Sequence, residues 1–383
     1  MEKLFKRFKL LCAVAVLIGT IVGAGTFGLP FVFSQSGFSV GLFYLVILTG
    51  IVMLIHLAYG EVALRTEGSY RLVGYAGKYL GPKAKLFATV VALFEYYGSL
   101  LAYIILGGEF LRLILGRFFG GSETVWAMVF FIIGTIVIGL GIKFISGGEL
   151  FMTLGMVAVI ALLLYKGGPI VNYEYFSGFD WRYLFLPYGV MLFSLAGSVA
   201  VPEMRQILAG QEKRLKGAIF WGTLIPAIMY FFFAWLVVGV TGPTTTEDAI
   251  LGLVPFLGNW VVQAGAIFGL LAVFTSFMVL GVSLKNIYIK DYNLPKVAAL
   301  FLACFVPMAA YFIGIKSFIL VVGIVGAVAS GLDGILTVLI FLRAKDKGDR
   351  RPEYSLKRSR LLANFLIFIF SLGLVASLWS FLN

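Results

Sequence analysis

Long apolar runs separated by short charged segments repeat along this chain from about residue 9 to residue 382. A helix crossing the hydrocarbon core of a bilayer needs about 20 apolar residues, so each run predicts one spanning helix. The spans fall near 9–33, 39–63, 86–115, 125–142, 148–166, 183–202, 217–240, 259–284, 297–315, 317–342 and 360–382, eleven in all. Two neighbouring pairs leave so little chain between them that Gly147–Gly148 and Gly314–Lys316 must form tight turns. Barrel strands would alternate polar and apolar positions, and these runs do not. The pattern predicts an all-α polytopic membrane protein.

Composition gives the same answer. Of the 383 residues, 61% are hydrophobic and 13% carry charge, against roughly 45–50% and about 25% in an ordinary soluble domain. That excludes a soluble enzyme, a disordered chain and a disulfide-stapled secreted domain. Cys12 and Cys304 both lie in apolar segments, which suggests neither a disulfide framework nor a metal site. The single histidine, His56, reads as a packed or hydrogen-bonded helix residue. The first apolar segment follows basic residues, as a signal peptide would. It is too long for one and lacks a small-residue cleavage pattern, so it is expected to remain as the first span.

A net charge of +12 would suggest nucleic acid in a soluble chain. Its placement gives it another meaning. With the N-terminus cytoplasmic, the inner segments hold four basic residues before the first span and five between the second and third. Lys143 follows the fourth span, four more follow the sixth, three follow the eighth, and eight lie between Arg343 and Arg360. Together these are 25 of 30; Arg112, Arg117, Lys166, Arg182 and Lys316 remain outside. This is the bias of the positive-inside rule. It predicts a multi-pass protein of the cell (inner) membrane, with the C-terminus outside and no nucleic-acid partner. Segment 343–360 is expected to fix topology and meet lipid headgroups. In the outer loop 241–258, Thr245 or Thr246 is expected to cap a short helix carrying Glu247 and Asp248, which Pro255 ends.

Two spans carry interruptions. The first reads LIGTIVGAGTFGLPFVF, with Gly19, Gly23, Gly25, Gly28 and Pro30 beside Thr20 and Thr26. The sixth reads YGVMLFSLAGSVAVPEMR, with Ser194, Gly197, Ser198 and Pro202. Glycine lets a helix unwind, and unwound backbone at mid-membrane must be satisfied by protein, water, ion or ligand. Five spans cover about 9–166 and five more about 183–342, each block opening on its interrupted helix; 360–382 is additional. Five is odd, so the second block is inverted. Paired broken helices at matching places point to a transport site at the repeat interface.

With these segments in view, the chain resembles the amino acid–polyamine–organocation superfamily, near its amino acid/auxin and hydroxy/aromatic amino acid permease branches. GTIVGAGTFGLPFVFSQSG carries the likeness, supported by FSLAGSVAVPEM and YGSLLAYIILGGE. The resemblance implies the 5+5 inverted repeat of the bacterial leucine transporter with an eleventh transmembrane helix. It places a substrate carboxylate at Gly23, Ala24 and Gly25, and the ammonium at carbonyls near Ile21, Phe193, Ser194 and Ala196. Phe193 would cover the substrate, Tyr103 would bond its carboxylate or close the site, and Gly197 with Ala196 would leave room for a larger side chain. The stretch AVFTS in the eighth span is similar to that of sodium-coupled members. That likeness implies sodium held by carbonyls of Gly19, Val22 and Ala272 with the hydroxyls of Thr275 and Ser276. Such hydroxyls also bond their own helix, which is the structural alternative.

Proton coupling is the competing reading, though the fifth span lacks the lysine that some proton-coupled relatives use there. Glu95 and Asp333, carboxyls within spans, are candidates for proton coupling or gating. Glu61 and Glu109 lie near span ends, where solvent access weakens them as candidates, and Glu203 with Arg205 reads as a cytoplasmic contact or an inner gate. The expectation is a secondary transporter importing a neutral amino acid with sodium by alternating access, in lipid and possible as a monomer, with no enzymatic chemistry. The alternatives are a proton-coupled permease and a non-transporting sensor.

Overall fold

In the computed structural model, residues 2–140 and 148–382 are described. The turn at Gly147 and the position of Lys143 lie outside them. Every regular element among the described residues is helical. Among the described residues, nine helices are long and apolar enough to cross a membrane, and a pair bent by 56° makes a tenth span. A shorter apolar helix, Leu154–Ile170, fills the place of the fifth.

The bent pair is α1 (Glu2–Ile21) and α2 (Gly25–Ser36). An unbroken α3 (Phe38–Arg65) follows, then a short α4 (Leu72–Leu80) and the long α5 (Pro82–Phe119). The first block closes with α6 (Glu123–Leu140) and α7 (Gly148–Gly167). The sixth span is broken into α8 (Leu186–Leu195) and α9 (Val201–Ile207), joined by a 3-10 turn at Ser198–Ala200. After it come α10 (Leu215–Thr241), a four-residue α11 (Val254–Leu257), α12 (Asn259–Asp291) and α13 (Lys296–Ile313). The tenth span begins as α14 (Phe318–Val325), passes through a π turn at Gly326–Ser330 and continues as α15 (Gly331–Lys347). The last is α16 (Arg360–Leu382).

Burial sorts these spans into centre and rim. The most apolar window of the sixth span is 67% buried and that of the eleventh is 22%, so the broken helix is central and α16 faces outward. Lipid offers apolar helices no hydrophobic drive to associate, and close backbone contact through small residues replaces it. A Cβ on Gly326 would lie 1.9 Å from the Gly189 carbonyl oxygen, so α8 meets the π turn backbone to backbone.

Several expectations are corrected. No helix starts at Thr245 or Thr246. The Asp248 carboxylate instead accepts from Thr246 Oγ1 and from the amides of Ile250 and Leu251, folding 246–251 into a side-chain-bonded turn. Pro255 sits in the first turn of α11 and opens it, because proline needs no amide partner there. Lys285 lies inside α12, buried, with Nζ donating to the Ile138 carbonyl.

Glu61 is not near solvent: it is fully buried. Its carboxylate accepts from Arg65 Nε and Lys345 Nζ, each at 2.8 Å, and from Ser355 Oγ at 3.2 Å. The loop after α15 is therefore more than a lipid contact. It straps the C-terminal end of α3, with Tyr354 Oη donating to the Leu57 carbonyl and the amides of Asp349 and Arg350 to that of Arg65. Lys78 pairs with Asp349 on the same strap.

Candidate functional site

The first break exchanges hydrogen-bond partners in a particular way. An unbroken ladder would send the Gly23 amide to the Gly19 carbonyl and the Thr26 amide to that of Val22. Here Gly23 N donates to Ile21 O at 2.9 Å, and Thr26 N donates to Gly23 O at 3.1 Å. The carbonyls of Gly19 and Val22 thus lose their ladder donors. On the far side, α2 starts at Gly25 with no side chain capping its amides. An open helix N-terminus of this kind favours an anion.

At the second break, Ala196 N turns back to Phe193 O at 3.3 Å, and regular structure resumes with Ala200 N to Gly197 O at 3.0 Å. The Ser194 hydroxyl is committed to Val190 O at 2.7 Å, which leaves its main chain as the group available at the break. Phe193 and Ala196 are half-buried, while Ser194 and Gly197 are buried.

The two breaks touch. A Cβ on Gly25 would stand 2.6 Å from Ser194 Oγ and 2.8 Å from Ser194 Cα. One on Gly197 would stand 2.6 Å from Ile21 Cγ1. Only residues without side chains permit both approaches. Ala24 lies between them, 2% exposed. The eighth span reaches the same place, since Ser276 Oγ is 3.8 Å from where a Gly23 Cβ would be. Tyr103, buried on α5, lies beside Ser276. Thr275 Oγ1 donates to Ala272 O at 3.0 Å, so its proton points back into α12 and its lone pairs stay free to accept. The structure therefore gathers Ile21, Gly23, Ala24, Gly25, Ser194 and Gly197 around the breaks, with Tyr103 and Ser276 alongside. It also frees carbonyls at two of the expected ion ligands.

One central residue has no sequence-based expectation attached to it. Tyr230 on α10 is fully buried, with its hydroxyl 2.7 Å from Ile21 O and 2.9 Å from Ser194 O. Its only local marker is Pro226 one turn earlier, and the chain has 18 tyrosines.

The sequence profile of the tryptophan/tyrosine permease family matches residues 6–379, nearly the whole chain. The chain belongs to this family. Among curated relatives, the permease is 27% identical over 306 residues to tyrosine-specific transport system 2 of Haemophilus influenzae, covering 73% of this chain and 74% of that one. It is 22% identical over 294 residues to glutamine transporter 2 of Aliivibrio fischeri, covering 73% and 75%. Among solved structures, MhsT in complex with L-phenylalanine aligns with a TM-score of 0.66 at 19% identity, covering 97% of the permease and 98% of MhsT. MHP1, a nucleobase-cation-symport-1 family transporter in a closed conformation with bromovinylhydantoin bound, also gives 0.66, at 12% identity over 97% and 91%. The permease thus has the leucine-transporter-type 5+5 inverted-repeat fold of a multi-pass secondary amino acid transporter. Family and fold are those of a carrier, not an enzyme.

Away from the breaks, Glu95 on α5 and Asp333 on α15 lie close enough for their carboxyls to interact electrostatically. Asp333 Oδ1 is buried without a hydrogen-bond partner among the described residues. At the C-terminal end of the broken sixth span, Arg205 Nη1 donates to Thr66 O at 3.0 Å and Gly68 O at 2.9 Å, and Gln206 Nε2 to Ser69 Oγ at 2.9 Å. Arg205, rather than Glu203, ties α9 to the chain leaving α3. His56 Nδ1 lies 3.0 Å from Thr223 Oγ1, a buried hydrogen bond between α3 and α10.

Proposed function

We propose that this permease imports a neutral amino acid, aromatic by preference, together with sodium. One observation carries the reading: the redirected amides of Gly23 and Thr26 leave the Gly19 and Val22 carbonyls without donors beside the eighth span. Unwound carbonyls at mid-membrane are suited to a small cation. Gly19, Val22 and Ala272 would supply carbonyl oxygens, and Thr275 and Ser276 hydroxyl oxygens. All five are neutral, so the ion brings net positive charge into the site, where a substrate carboxylate is welcome.

The carboxylate would meet the amides of Ala24 and Gly25 at the open start of α2, and that of Gly23 once it leaves the Ile21 carbonyl, with Tyr103 completing its partners. The ammonium would meet carbonyls of Ile21, Phe193, Ser194 and Ala196. No acidic side chain stands on either break, which disfavours a cationic substrate. Phe193 would cover the side chain. Ala196 and Gly197 are small, and the family's tryptophan/tyrosine description supports an aromatic occupant.

The repeats are assigned to 9–166 and 183–342, with 360–382 added. The N-terminus would lie in the cytoplasm and the C-terminus outside the cell (inner) membrane, as the basic residues require. Alternating access would part the broken spans from their neighbours toward each side in turn.

The test is uptake by proteoliposomes of tyrosine, tryptophan, phenylalanine and glutamine in sodium or potassium. Sodium should raise concentrative uptake of an aromatic member, and Thr275→Ala with Ser276→Ala should abolish that rise. Full pH-driven uptake in potassium would replace this reading with proton coupling. The interacting pair Glu95 and Asp333 is the observation that favours that second reading.

A further inference from the structure

The corner between α3 and α4 is clasped along both edges. Residues 67–70 are exposed, so few apolar contacts fix their place and the hydrogen bonds at their edges do so instead. Thr66 opens the corner in an extended conformation, at φ −109° and ψ 131°. Successive residues of extended chain point to opposite sides, and here their partners alternate. The Arg65 carbonyl accepts from the amides of Asp349 and Arg350 at 2.8 and 3.2 Å, and the Glu67 amide donates to Asp349 Oδ2 at 2.9 Å. The Thr66 and Gly68 carbonyls are taken by Arg205 Nη1, and Ser69 Oγ by Gln206 Nε2. One edge belongs to the strap after α15, the other to α9.

Asp349 holds three groups at once. Its amide binds Arg65, its carboxylate takes the Glu67 amide, and the same oxygen pairs with Lys78 on α4. The corner is thus pinned to both helices that flank it. The strap is itself anchored away from α9, at buried Glu61 and through Tyr354 on the Leu57 carbonyl. Arg205 reaches two carbonyls with one nitrogen, and hydrogen bonds weaken steeply once their angles are lost. A corner without the strap would offer those carbonyls in no fixed place.

We propose that Asp349 is a positioning residue for the broken sixth span: through the corner 65–69 it sets the place where α9 docks. The end of the tenth span thereby controls the second half of the sixth by way of the second. Loss of Asp349 frees α9 to part from the corner and opens the chain around the second break. This inference depends on neither the substrate nor the coupling ion.

The test is thiol labelling of the full chain in detergent with a charged, water-soluble maleimide. Ala200→Cys, at a buried position just before α9, reports opening at the break. Native Cys304, buried on α13, reports general loosening, and Cys12 is replaced by serine. Removing the hydrogen-bonded carboxylate in Asp349→Ala should speed labelling at position 200 about tenfold, as should Arg205→Ala. Asp349→Ala and Arg205→Ala combined should label no faster than Arg205→Ala alone, because both act on one contact. Effects that multiply, to about a hundredfold, mark independent sites and overturn the proposal. So does an unchanged rate in Asp349→Ala, or an equal acceleration at Cys304. Asp346→Ala removes another strap carboxylate, one paired with Arg358, and should label as the wild type; acceleration there overturns the role given to Asp349. If Asp349→Ala does not fold, Asp349→Asn keeps an acceptor for the Glu67 amide and loses the ion pair. Its few-fold rise, present with Arg205 and absent in Arg205→Ala, then decides in the same way.

Discussion

Gly25→Ala places one methyl group at the closest approach of the two broken helices. An ideal Cβ there lies 2.8 Å from Ser194 Cα, whereas ordinary contact begins at 3.4 Å. The nearest carbon is backbone and cannot rotate away, so α2 and α8 must part by about 0.6 Å. Overpacking of this kind costs about 1–3 kcal/mol in a packed interior. The functional cost is larger, because a shift of about 1 Å in a positioned site can cost on the order of 100-fold. The expected result is uptake reduced by roughly 10–100-fold, in a protein whose melting temperature falls only modestly. Initial rates in proteoliposomes and a thermal melt in detergent measure the two effects. Gly50→Ala is the matched control. Nothing lies within 4 Å of its Cβ position, and alanine is the better helix former by roughly 0.5–1 kcal/mol. Wild-type rates and affinity in Gly25→Ala would show that the two breaks need not touch for transport, and the geometric argument would fail.

Glu61→Ala leaves the Arg65 and Lys345 cations, both largely buried, without their shared carboxylate; a loss of about 3–5 kcal/mol is expected, read as a clear drop in the melting temperature. Arg205→Ala removes the link from α9 to the Thr66 and Gly68 carbonyls, so a cysteine introduced below the breaks should react faster with a membrane-impermeant thiol reagent from the cytoplasmic side. Equal labelling would rule out an inner gate at this position. The Lys78 hydrogen bond holds the Asp349 carboxyl below its ordinary value of 3.8, and the same contact holds Lys78 above 10.5. The depressed carboxylate contributes above 3.8 and is lost as pH falls through its folded value, while the raised ammonium is lost only above 10.5. Proteolysis of the strap should therefore be flat between those limits and rise in acid; a rise near neutrality would contradict the assignment.

The membrane made most of the architecture legible. A spanning helix must be apolar along its whole length, so its sequence announces it without knowledge of its neighbours. The breaks were legible for a related reason: Gly19, Gly23, Gly25, Gly197 and Pro202 are conspicuous where lipid demands continuous helix. What escaped was fixed by distant chain. Glu61 looked solvated because it lies near a span end, yet Ser355 and the Leu356 amide, almost 300 residues later, enclose it. Lys285 looked like a flanking charge, but α12 runs past it to Asp291. The loop 241–258 carried true capping residues, but Asp248 commits its carboxylate to a turn. Tyr230 had no signature, since a bridge between two carbonyls depends on three helices meeting.

The π turn at Gly326–Ser330 puts one residue more into the tenth span than an α-helix of the same rise would hold. Each residue of an α-helix turns the chain by about 100°. The insertion therefore sets two registers within a single span: one presents Gly323 to α8, the other carries Asp333 toward Glu95. Deleting one residue from the π turn would restore a regular helix and swing Asp333 about a quarter-turn around its axis. The backbone contact with α8 and the carboxyl pair could then not both survive. An otherwise continuous rod is in this way two independently clocked halves, and a single codon's worth of chain holds their phase.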